Sequence, residues 1–134
     1  MIDQAQLNTA VELSVDEIIK GEWLSAFMVK NNERPVVICS TIDLPPHVSF
    51  PIDSLYNMID LHLIKTGQVR VIKSNTIQRT TAPVDLAKGE SIDFVLTAAI
   101  EKAVQQSSSN PVLVLALWNE NSETPITTAK NMIE

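Results

Sequence analysis

The eight residues from Pro35 to Ile42, PVVICSTI, constrain this chain more than any other stretch. Apolar side chains fall on both alternating faces of the run, which is the pattern of a central strand covered on both sides. Such a strand needs a sheet around it and a layer of helix against it, and the remaining sequence supplies both.

Residues 1–20 read as a helix, with Leu7, Val11 and Ile18 on one face and Ala10, Ser14 and Ile19 close to it. Ser14 followed by Glu17 matches a capping box, so the helix can also break and restart near Ser14. Gly21 is its stop. A short second helix, Glu22 to Lys30, groups Trp23, Leu24, Phe27 and Met28, and Asn31-Asn32 ends it ahead of Pro35. After the central strand, DLPPHVSFP (Asp43–Pro51) carries three prolines and is an ordered or extended loop. Ile52, Leu55, Tyr56, Ile59 and Leu63 then form a helical stripe opposite Asp53, Asn57 and Asp60. Pro51 stands at its start, Lys65 in its last turn and Gly67 at the left-handed C′ position.

QVRVIK (Gln68–Lys73) is a short alternating strand. Ser74–Thr81 is polar and aperiodic, and Pro83–Lys88 has room for one or two helical turns. Ile92–Val104 predicts a long strand, although TAAIEKAV also has helical character. QQSSSNP is a hairpin connector, VLVLALW (Val112–Trp118) a strand, NENSET a turn, and Pro125–Ile133 a last edge strand. The expectation is one α+β domain over residues 1–134. It has a mixed sheet of four to five strands, helices packed on one face, and a meander as its C-terminal half.

Composition narrows the function. The 134 residues suffice for a core; 45% are apolar and 19% charged, which describes a globular chain. A net charge of −6 with ten scattered Lys and Arg argues against nucleic acid and against adsorption to anionic lipid. Phe94–Val104 and Val112–Trp118 are too short to span a bilayer, so no membrane insertion by this domain is expected. The opening MIDQAQLNTA has neither the basic nor the apolar region of a signal peptide.

Residues that carry chemistry are few. Cys39 is the single cysteine, set in an apolar run, and is expected to be a buried structural thiol. His47 and His62 lack a second ligand at metal spacing, so neither a metal site nor a cofactor is expected. Asp53 and Asp60 are seven residues apart on the polar helix face and read as solvated rather than as a catalytic pair. Only three glycines are present, with no nucleophile elbow, Walker loop or dinucleotide fingerprint, and no enzyme is expected. The candidate partner-binding residues are Leu44, His47, Val48 and Phe50 in the proline-stiffened loop, with Asp53 at the start of the next helix. Phe50 has an alternative role, stapling that helix to the core. Trp118 is either a cap on the core or a partner anchor.

Three segments together resemble a known family. EWLSAFMVKNNERPVVICSTI (Glu22–Ile42) is similar to the start of the globular domain in LpoB-type lipoproteins, the outer-membrane activators of penicillin-binding proteins. There a Trp-Leu-x-x-Phe-Met helix (here Trp23, Leu24, Phe27, Met28) passes through a Lys-Asn corner (Lys30, Asn31) into a Pro-Val-Val-Ile strand (Pro35–Ile38). LHLIKTGQVRVI and IDFVLTAAI resemble the family's helix–Gly–strand step and its following strand. The chain departs from the family at Ala98, where Gly is usual, and in the loop Asp43-Leu44-Pro45-Pro46, usually rich in Asn and Ser.

The resemblance implies a fold like the TolB N-terminal domain. It also implies a non-enzymatic periplasmic protein, a monomer, tethered to the outer membrane through a lipidated segment outside these residues. Such a protein docks on a bifunctional class A penicillin-binding protein and stimulates glycan polymerisation and cross-linking. No docking residues carry over position by position. The rival reading is an envelope assembly or secretion-associated domain of the same fold that oligomerises. A binder of small molecules or peptidoglycan fragments would need a deep polar pocket.

Overall fold

The computed structural model describes residues 3–46, 50–72, 92–102, 111–119 and 123–133. Among them run α1 (Gln4–Ile19), α2 (Glu22–Asn31), β1 (Val36–Asp43), α3 (Ile52–Thr66), β2 (Arg70–Ile72), β3 (Phe94–Lys102), β4 (Pro111–Asn119) and β5 (Thr127–Met132). The strands form one sheet in the order β2-β1-β3-β4-β5. β1 is parallel to both neighbours, whereas β3, β4 and β5 form an antiparallel meander. The expected α+β architecture is present, and β1, which takes up Val36–Ile42 of the apolar run, is an interior strand paired on both edges, although β3 holds the middle place. The expected turns at Pro83–Lys88 lie outside the described residues, as does the connector Gln105–Pro111 except for Pro111, which opens β4.

Strand alternation sets which face is core. Phe94, Leu96, Ala98 and Ile100 of β3 are buried, and their partners Leu117, Leu115 and Leu113 on β4 are buried on the same side. All three helices sit there. α1 lies over β4 and β5, α3 over β1 and β2, and α2 presses Trp23 and Phe27 edge-on against Phe94, with ring centroids 4.8 and 5.5 Å apart. The opposite face carries Val95, Thr97, Ala99, Val114 and Trp118, each half-buried. Trp118 lies across that face with its indole Nε1–H donating to Thr97 Oγ1 at 2.9 Å.

β1 contains an irregularity that the pattern of residue types conceals. Its register with β3 shifts between Cys39 and Thr41, leaving Ser40 as the extra residue of a bulge. The shift explains why Val37 and Cys39, then Ile42, all face the helices despite the odd spacing. The Tyr56 hydroxyl donates to the Ser40 carbonyl at 3.3 Å, so α3 holds the bulge directly.

The helix ends follow local chemistry. α1 starts at Asp3, whose carboxylate accepts from Ala5 N at 2.8 Å. It does not break at Ser14. That hydroxyl is buried and accepts from Asn131 Nδ2 at 2.8 Å, so it ties the helix to β5 instead of capping a new one. α2 ends at Asn32 in the left-handed region (φ 55°) and α3 at Gly67 (φ 67°), where a residue with little side-chain penalty is required. Corner residues Arg34 and Arg70 close the α2–β1 junction. Arg34 donates to the Gly67 carbonyl at 3.1 Å and Arg70 Nε to the Arg34 carbonyl at 2.9 Å.

Candidate protein-docking surface

The proline loop leaves the sheet at Asp43 and delivers the chain to α3. Leu44 and Phe50 are half-buried and packed against the core, Pro46 is exposed, and Asp53 is exposed in the first helical turn. His47 and Val48 lie outside the described residues. The loop's two described apolar groups therefore serve the core as well as any partner, since each presents only part of its surface. α3 opens on Pro51 without a side-chain cap. Ser54 N donates to the Pro51 carbonyl at 3.1 Å, and the Asp53 carboxylate meets the positive end of the helix dipole.

Beyond Asp53 the exposed side of α3 lines an open groove of about 680 Å³ against the first two turns of α1. Gln4, Ala5 and Asn8 form one wall and Ser54, Asn57, Met58 and Leu61 the other. Leu61 is 52% exposed and Ile64, a turn further on, 43%. The hydrophobic stripe of α3 did not include these two side chains. An apolar residue standing off the stripe, amid Asp53, Asn57 and Lys65, is the signal by which sequence alone points to this surface.

The groove wall is pinned by a buried contact. His62, 8% exposed, has its Nε2 3.0 Å from Asn8 Oδ1, which makes Nε2 the protonated ring nitrogen. Burial pushes the His62 pKa down most strongly; Glu12 and Asp16 of α1 pull it up, and Lys65 adds to the downward push.

Asp60 departs from expectation. It is 3% exposed, not solvated, and its field adds to burial in raising the pKa of the Cys39 thiol. Asp53 and Asp60 do share a helix direction, but they are separated by about 10 Å along the axis. Asp53 stands exposed in the first turn, whereas Asp60 is buried and near enough to β1 for its charge to act on Cys39. Cys39 is buried as expected, and a thiol held protonated by its surroundings is a poor nucleophile. Among the described residues no three His, Cys, Asp or Glu side chains gather to hold a metal ion. No described helix is long and apolar enough to cross a membrane.

Solved structures share this architecture. The LpoB C-terminal domain from Escherichia coli superposes with a TM-score of 0.59, covering 92% of this chain and 98% of that domain at 12% identity. The fold is that of the LpoB C-terminal domain. The LpoB C-terminal domain from Salmonella enterica agrees, with a TM-score of 0.55 over 83% of this chain and 92% of that domain, again at 12% identity. No protein-family profile and no curated protein sequence matches the chain. The LpoB likeness is therefore one of architecture.

Proposed function

We propose that this domain is a non-enzymatic accessory protein that binds and activates a bifunctional class A penicillin-binding protein during peptidoglycan synthesis. The observation that carries the proposal is the agreement with the LpoB C-terminal domain over nearly the whole length of both chains. The Trp23–Met28 segment that prompted the family resemblance lies in α2 of this chain, and Val36–Ile38 opens β1. In the full-length protein the domain works in the periplasm, tethered to the outer membrane. It acts by contact: an activator binds the active conformation of its enzyme more tightly than the resting one. The docking surface includes the loop from Leu44 through His47, Val48 and Phe50 to Asp53.

The test is direct binding of the purified domain to a full-length class A penicillin-binding protein from the same organism, with sedimentation of the domain alone. Saturable binding by a monomer is expected. A stable ring or long-lived dimer that ignores the enzyme overturns the proposal in favour of an envelope assembly role.

A further inference from the structure

The groove between α1 and α3 has a chemistry that the loop residues do not share. Its polar lining (Gln4, Asn8, Ser54, Asn57) is uncharged and is interleaved on the two walls with apolar Ala5, Met58 and Leu61. Side-chain amides offer donor and acceptor together, which is what a peptide backbone presents in return. The surrounding charge is one-sided. Asp3 immediately precedes Gln4, and Asp53 stands one turn before Asn57 on the same helix side. Glu12 lies one turn beyond Asn8, and both Glu12 and Asp16 bear electrostatically on His62 at the groove wall. α1 contains no Lys or Arg. Among the described residues near the groove, Asp3, Asp53, Glu12 and Asp16 outnumber Lys65.

We propose that this groove docks a Lys- or Arg-bearing amphipathic segment of a protein partner. One apolar side chain seats on Met58 and Leu61, and the cations lie along the Asp3–Asp53 and Glu12–Asp16 rims. The class of occupant, a protein, rests on the proposed function above; its charge and shape rest on the groove. Phosphate-bearing partners meet like charge here, and a small apolar ligand is left half in solvent by so open a cleft.

The probe is a synthetic helical peptide with leucines at helical spacing and flanking lysines, compared with its counterpart in which every Lys is Glu. Amide shifts on titration are expected to move saturably at Gln4–Asn8 and Ser54–Leu61 for the Lys peptide. The Glu peptide is expected to bind roughly tenfold more weakly. Leu61→Ser and Asn57→Lys, both at exposed positions, each weaken binding roughly fivefold or more while the thermal midpoint holds. Equal affinity for the two peptides, shifts confined to other surfaces, or undiminished binding by both variants overturns the assignment. The outcomes also separate the two proposals. If the peptide result holds and the penicillin-binding protein ignores the domain, the activator role fails and the groove stands. If the enzyme binds wild type and both variants alike, and the peptides do not discriminate, the groove fails and the activator role stands.

Discussion

Asn8 and His62, 54 residues apart in sequence, face each other at 3.0 Å across the α1–α3 interface and join the two helices. The folded state holds His62 neutral to a lower pH than its ordinary value of 6.5. Below 6.5 the unfolded chain therefore binds the proton before the folded chain does. Stability from this group is complete above about 6.5 and falls as pH drops, by at most about 1.4 kcal/mol per unit. The measurement is the thermal midpoint from pH 7.5 to 5. Wild type declines more steeply than His62→Gln, and identical slopes would remove His62 from the account.

Asp93 and Val36 exchange two bonds. Val36 N donates to Asp93 Oδ2 at 2.8 Å, and Asp93 N donates to the Val36 carbonyl at 2.9 Å. The carboxylate thus fastens the entry of β3 to that of β1, where loop-closure entropy works hardest against the sheet. Asp93→Ala is expected to cost about 1.5–3 kcal/mol, the range for a hydrogen bond to a charged group. Urea unfolding checks it: the midpoint falls while the slope stays constant.

Gly67 closes α3 with φ 67° and nothing within 4 Å of where a Cβ would stand. The cost of Gly67→Ala is therefore conformational, about 1–2 kcal/mol, with no clash to relieve. At Asn32, the other left-handed cap, Asn32→Gly is expected to be close to neutral, and Asn32→Val to destabilise by a similar amount. Chemical denaturation of the three variants tests the ordering.

Phe50 is half-buried against the core, so Phe50→Ala lowers stability by about 1–2 kcal/mol, less than for a fully buried ring. A partner-binding role adds a second effect. At a temperature where the variant is still folded, affinity for the penicillin-binding protein falls as well. Loss of stability with unchanged affinity assigns Phe50 to the core alone.

Legibility followed periodicity. β1 was readable because apolar residues on both faces leave it no place except the middle of a sheet, and α3 because Pro51 and Gly67 bracket a clear stripe. Ser14 misled because its spacing to Glu17 mimics a capping box, while its real partner, Asn131, is 117 residues away. Asp60 misled because helical phase reports direction but not depth, and its turn of α3 is buried near Cys39 of β1. The bulge at Ser40 depends on register with β3 and leaves no local trace. The groove was the least legible feature, because its two walls come from helices that sequence periodicity treats separately. Only the misplaced Leu61 hinted at it.

The function proposed above requires that this domain raise the activity of a class A penicillin-binding protein. The decisive measurement is the rate of glycan polymerisation and cross-linking by the full-length enzyme on lipid-linked substrate, with and without the purified domain. A saturable rise in rate is expected, diminished by Leu61→Ser or Asn57→Lys without a change in the fold of the domain. A rate unchanged at saturating domain contradicts it.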